Sequence, residues 1–202
     1  PGVDLVDAAK CHLMQGINGC GFEAPLGASS AAMSRMMSAD DDELGFLGEG
    51  HRLALVYLTD ELDCSAFTQE IFEPDGGRVF WSDPDDSFPT SAVCFNAGVA
   101  CTGDPSGYDD CVAENFGDDG EPTGNPDNAV LTPLWRFEAK MAEIEAYGGG
   151  HPVDVHVIAG LGLSGELDYW DASDVDPIFQ HDFGIGWGCE DSEGSLALPP
   201  VR

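Results

Sequence analysis

Three carboxylates, Asp60, Glu61 and Asp63, follow directly on an apolar run, and this juxtaposition is the chemistry-bearing feature of the chain. Residues 53–65 read LALVYLTDELDCS. A short apolar run without alternation suits a strand buried on both faces of a sheet. Its Thr59-Asp60 ending sets a carboxylate at the strand's carboxyl edge, where open α/β sheets bind ligands. Carboxylates there can donate oxygens to a hard cation or act as the acid and base of a glycosidase. The sequence holds 38 acidic residues, so pairing alone carries little information, and a core strand with a solvated acidic loop reads equally well.

Other reactive patterns fail on spacing. Gly162-Leu163-Ser164 opens a nucleophile elbow after an apolar run, but Glu166 stands where the sharp turn needs glycine. Gly16, Gly19 and Gly21 make no phosphate loop, since the following lysine is absent. Asp83, Asp85 and Ser87 alternate like calcium ligands, yet there is no glycine at the sixth position and Cys94 occupies the twelfth, which excludes an EF-hand. The histidines are scattered: His156 reads as a core histidine within a strand, and His51, His151 and His181 as loop residues. The seven cysteines show no Cys-x-x-Cys spacing, which disfavours structural zinc and favours disulfides in an extracytoplasmic protein. Seven is odd, so one cysteine is free, pairs with another chain, or pairs with a segment outside this sequence.

Composition limits the partners. Seven basic against 38 acidic residues give a net charge of -31, which argues against nucleic acid and against an anionic bilayer. Such charge marks either a cation-binding surface or solubility in salty surroundings. Depletion of lysine along the whole length, to Lys10 and Lys140, favours the second. No apolar stretch approaches a transmembrane helix, and no signal peptide is recognisable. A chain beginning PGVDLVDAAK reads as mature, trimmed or cut from something larger.

The elements that must hold these residues are legible from periodicity. A helix is expected over residues 3–15, then a glycine-rich loop across which Cys11 and Cys20 could close a disulfide. A second helix is expected over 22–39, with its methionines as core filler. Phe46 and Leu47 look like apolar anchors of the next loop, and a short helix or loop spans 65–72. Residues 73–130 are rich in Gly, Pro, Asp and Ser and carry Cys94, Cys101 and Cys111. They read as an insertion stapled by disulfides, with two or three short strands. The clearest helix covers 131–147, capped by Thr132 with Pro133 at its first position and stopped by Gly148 to Gly150. The strand 153–161 follows, completing the α-to-β half of a parallel crossover, and the tail from 162 reads as loops.

Two stretches together resemble a family. GCGFEAPLGAS, starting at Gly19, and LALVYLTDELDCS, some twenty-five residues later, are similar to cysteine-bearing von Willebrand factor type A domains of secreted proteins and lipoproteins of Gram-negative bacteria. Gly45-Phe46-Leu47, the strand 153–160 and Gly188-Cys189 fit the same pattern more loosely. The resemblance implies a doubly wound, mostly parallel sheet of Rossmann-like type. It also implies a divalent ion, Mg2+ or Ca2+, at the sheet's carboxyl edge, held by an Asp-x-Ser-x-Ser motif, a second-loop Thr and a third-loop Asp. Asp60 matches the third-loop Asp, and Glu23 is the ligand-capable side chain of the second loop. No Asp-x-Ser-x-Ser occurs in the 202 residues, so the chain resembles the carboxyl-terminal portion of such a domain, its sheet completed by an upstream segment or a companion chain.

The expectation is therefore one von Willebrand A-like α/β domain over 1–202 with an insertion at 73–130. It would serve as an extracytoplasmic binding, adhesion or assembly module for a protein or cell-surface partner, without an enzymatic role. The alternatives are a secreted calcium-dependent hydrolase and a structural subunit completed by a neighbouring chain.

Overall fold

A computed structural model describes residues 21–38, 46–48, 50–159 and 167–201. The expected helix at 3–15, the Cys11–Cys20 pairing and the Gly162-Leu163-Ser164 turn lie outside them. The architecture is mixed α/β, with a small parallel sheet and two antiparallel hairpins.

Helix α1 (Pro25–Met37) starts with proline at its first position, where the missing N–H costs nothing, and runs through an alanine- and methionine-rich segment. Strand β1 (Ala54–Leu58) follows. Helix α3 (Leu134–Tyr147) comes later, after the short helix α2 (Ala92–Asn96). Pro133, and not the expected Thr132, is the N-cap of α3, so it is not the first helical residue. Gly149 and Gly150, at φ 90° and 84°, take the backbone out of the helix through a region that side chains resist. Strand β4 (Asp154–Ile158) then pairs with β1 in parallel, Ala54 opposite Asp154 through Leu58 opposite Ile158. This is the crossover read from the sequence. Helices α1 and α3 pack against one face of the pair, mainly over β1, where Met33, Leu47, Leu53 and Ile144 form a core that Met36, Met37 and Met141 extend, while Val155 and Val157 of β4 on that face stay 44% and 55% exposed. Met33 thus fills the core as expected, but of the two loop anchors only Leu47 is buried and Phe46 is exposed.

The opposite face corrects the expectation of a strand buried on both sides. Val56 and Leu58 are 61% and 68% exposed, and Ile158, the register partner of Leu58, is 56% exposed. His156 shares this face as the partner of Val56 and is exposed, not a core histidine. No described element covers these apolar side chains.

The insertion and the tail build the larger part of the core. Strands β2 (Val99–Asp104) and β3 (Gly107–Ala113) form a hairpin with Cys101 opposite Cys111, and those two residues are disulfide-bonded. A second disulfide joins Cys64, just past β1, to Cys94 in α2. Around it pack Ile71, Phe80, Trp81, Val93, Val130 and Leu131. Besides the expected short strands, the segment 73–130 holds the helix α2, buried along Ala92, Val93 and Cys94.

The tail is also more regular than the expected loops. Helix α4 (Pro177–Phe183) has Asp176 as a true N-cap, its side chain accepting from the Phe179 N–H at 3.0 Å, and Gly184 at φ 79° as its exit. His181 sits in this helix, not in a loop. A small hairpin of β5 (Cys189–Glu190) and β6 (Leu196–Ala197) ends the fold, and Leu198 and Ile185 pack with Leu62 and Val99. Cys189 is the free cysteine among the described residues. Two disulfides are the mark of a chain that folds in an oxidising, extracytoplasmic setting. No described helix is long and apolar enough to cross a membrane.

Candidate functional site at the carboxyl edge of the sheet

The carboxyl end of β1 is assembled from three segments. The first is β1's own exit, Thr59 to Ser65. Thr59 prolongs the parallel ladder, its N–H donating to the Ile158 carbonyl at 3.1 Å. Its hydroxyl lies 2.8 Å from Glu23 Oε2 and 3.0 Å from the Glu61 carbonyl, and it accepts from the Glu61 N–H at 3.2 Å. The second segment precedes α1, and Glu23 is fastened there by its carbonyl, which accepts from the Cys64 N–H. The third is Ser91 at the start of α2, whose hydroxyl stands 3.3 Å from Glu61 Oε2.

Asp63 organises this edge from beneath. Its carboxylate is buried, and Oδ1 accepts from the Leu26 N–H at 3.0 Å and from the Ser65 hydroxyl at 2.7 Å, while Oδ2 accepts from the Ser65 N–H at 3.0 Å. The Gly27 N–H in turn donates to Ser65 Oγ at 2.7 Å. Ala24, the N-cap of α1, offers no side-chain acceptor, so Asp63 and Ser65 cap that helix from 37 and 38 residues away. From the sequence Asp63 reads equally as a strand-edge carboxylate or as part of a solvated acidic loop; it is buried. The signal that could have found it was the Asp-x-Ser spacing beside a helix lacking its own cap.

The two residues implied as metal ligands come to the same edge but in unequal roles. Glu23 turns its carboxylate to Thr59. Asp60 is exposed, and its carbonyl accepts from the Leu198 N–H of the tail at 2.8 Å. Glu61 lies between them. Burial first, and then the neighbouring charge of Glu23, push its carboxyl above the ordinary range; the Ser91 hydrogen bond pulls the other way and Asp60 adds a smaller push upward.

No family model, curated protein or solved structure matches this chain. Its chemistry has to be read from its own residues. Among the described residues no group of three or more His, Cys, Asp or Glu side chains is placed to hold a metal ion. A calcium or magnesium ion takes six or more oxygens, so Glu23, the Thr59 hydroxyl and Asp60 make at most part of such a set. No described serine or cysteine side chain is hydrogen-bonded to a histidine ring; the ring of His51 takes the Gly48 N–H, and that of His181 meets Asp86 and Asp182. The edge is a strand end rich in oxygen, beside a bare apolar sheet face and a hollow of about 390 Å³ that Leu58, Ile158 and Ala197 line.

Proposed function

We propose that the chain is an extracytoplasmic binding or assembly module whose partner is a polypeptide that completes the β1–β4 sheet. The exposed face of Val56, Leu58 and Ile158 carries this reading. Parallel sheets are covered on both faces almost without exception, because their crossover helices lie there. Among the described residues this pair has helices against one face only and no third strand. What a strand edge accepts is the backbone of another strand, so the occupant is protein and not a small molecule. The resemblance to the carboxyl-terminal portion of a von Willebrand A-like domain agrees, since it implies that strands and a helix layer come from an upstream segment or a companion chain.

The test is a photo-crosslinking residue placed at Val56 and, separately, at His156, in the cells that make the protein. Both positions should capture the same polypeptide, through a peptide of strand-like alternation, and Leu58→Asp should abolish capture while the isolated protein keeps its melting temperature. Capture of unrelated proteins at the two positions would overturn the reading.

A second reading is favoured by the Glu23–Thr59 hydrogen bond, which brings the two residues implied as ligands to one edge. In it Asp60 and Glu23 supply part of a divalent-ion site, and the partner supplies the remaining oxygens. Calorimetry with Mg2+ and Ca2+ tests it: the complex should bind one ion that Asp60→Asn removes, and the chain alone should not.

A further inference from the structure

On the helix side of the sheet lies a second, differently built and half-open cavity, of about 300 Å³. The start of α1, α3, both strands, Pro200 and Val201 line it, with Val155 and Val157 at its open side. Leu26, Leu134, Met141, Val155 and Val157 make its walls apolar. Its polar lining comes from β1 and its exit, Tyr57, Thr59, Glu61 and Asp63. A predominantly apolar recess with a few polar groups is the usual form of a small-ligand site.

The polar lining is selective by charge. Asp63 is already satisfied by Leu26 and Ser65, and the first amides of α1 are taken by Asp63 and Ser65, so nothing there is left to hold an anion. Tyr57 shares a hydrogen bond of 2.7 Å with Ser29. Glu61 is the group with charge to offer. It is half-buried, has one long contact to the Ser91 hydroxyl, and stands beside Glu23 and Asp60. A neutral apolar guest would strip more water from this carboxylate and return nothing. A bare metal ion would find too few oxygens and walls of hydrocarbon. A cation with an apolar body answers both the walls and the carboxylate.

We propose that this cavity binds an organic cation, an alkyl- or arylammonium group whose body rests on Met141, Val155 and Val157 and whose charge meets the Glu61 carboxylate. Such a group is carried equally by a free amine and by the lysine side chain of another protein. The site lies across the sheet from the face in the proposed function, so either reading can fail alone.

Hexylammonium is the probe, titrated into the full chain at about 0.15 M ionic strength, where diffuse attraction to so acidic a surface is screened. Hexylammonium should bind saturably and shift the methyl signals of Met141, Val155 and Val157, whereas ethylammonium, hexanol and hexanoate should not saturate. Glu61→Gln should weaken hexylammonium by roughly tenfold while the protein stays folded, and Val157→Trp should block it by filling the recess. Glu61→Asp, which keeps the charge, should retain the saturable hexylammonium binding that Glu61→Gln weakens. A lysine-bearing pentapeptide that displaces hexylammonium assigns the site to a protein side chain; failure to displace assigns it to free amines. Binding of hexanol as tight as hexylammonium, or a Glu61→Gln protein with unchanged hexylammonium affinity, would overturn the proposal.

Discussion

The carboxylate of Asp63 accepts the backbone N–H of Leu26 at 3.0 Å, tying the exit of β1 to the first turn of a helix 37 residues earlier in the chain. Through Ser65 the same carboxylate also reaches the Gly27 amide. One buried side chain thus fixes the angle between α1 and the strand whose end carries Thr59, Asp60 and Glu61.

Asp63→Ala should therefore cost about 3 kcal/mol, the scale expected when hydrogen bonds to a charged acceptor are lost and a buried donor is left unpaired. Asp63→Asn keeps one carbonyl acceptor and should cost less. Urea unfolding followed by circular dichroism measures both, and an unchanged slope with a lowered midpoint would assign the loss to the folded state. A loss in Asp63→Ala no larger than at an exposed site would mean that α1 is capped by other means.

The disulfides differ in what they enclose. Cys64–Cys94 spans 30 residues and Cys101–Cys111 spans 10. The longer closed loop restricts the unfolded chain more, so removing Cys64–Cys94 by paired Cys→Ala substitution should cost about 3–4 kcal/mol, and removing Cys101–Cys111 about 1 kcal/mol less. The first bridge also sits in the largest apolar cluster, between β1's exit and α2, whereas the second clasps opposite residues of one hairpin. Thermal melts of the two double variants give the order, and the reverse order would place the main load on the hairpin.

His181 is held between two carboxylates, Nδ1 at 3.0 Å from Asp182 and Nε2 at 2.9 Å from Asp86 of the insertion. The Asp182 hydrogen bond first, and then the Asp86 hydrogen bond and charge, raise its pKa above the ordinary value of 6.5 against the opposing effect of burial. A histidine whose folded pKa is raised adds stability that is fully present below the unfolded pKa and disappears as pH rises through the folded one. Stability should accordingly fall as pH rises from just below 6.5 to above the raised value. Asp86→Asn should move the His181 titration, followed by NMR, back toward the ordinary value and flatten that slope. The contact fastens α4 to the insertion loop, together with the Ser82 and Thr90 hydroxyls, both of which donate to the His181 carbonyl.

What could be read from the sequence followed local rules. The α3–glycine–β4 passage was legible because the helical periodicity, the glycine stop and an apolar strand occur in succession. That residues 73–130 carry disulfides and short strands was legible from their composition and cysteines. Long-range pairings were not: Cys64 with Cys94, Asp63 with Leu26 and His181 with Asp86 join residues that no periodicity relates. Helix α4 was missed because seven residues show too little periodicity, although Asp176-Pro177 and Gly184 are a start and a stop that could have been read. The error about β1 is of another kind. Its unbroken apolar run reads as a strand covered on both faces, but Val56 and Leu58 lie bare among the described residues. At the candidate site, Asp60 and Glu23 were found by resemblance and do reach one edge, while Glu61 and Asp63, whose surroundings do more physical work, looked like two more of many acids.

Glu61 gives the sharpest sign test of that edge. Its carboxyl is raised above 4.5 by burial first and then by Glu23, with Asp60 adding to the repulsion and the Ser91 hydroxyl offsetting part of it. A carboxyl raised on folding binds its proton more tightly in the folded state, so the fold loses stability as pH climbs from the unfolded value near 4.5 through the raised one. Glu61→Gln removes the ionisation and keeps an oxygen for Ser91. The variant should match the parent below pH 4.5, exceed it in melting temperature at neutral pH, and lose the intervening slope. Glu23→Gln, which removes the nearer charge but leaves Glu61 in place, should give a smaller gain and shift the Glu61 titration downward. Melts across that pH range, alongside carboxyl-carbon NMR titration of Glu61, decide the matter: a Glu61→Gln protein less stable than the parent at neutral pH would show that the ionised carboxylate is a structural acceptor for Ser91 rather than a charge held at a cost beside the cavity.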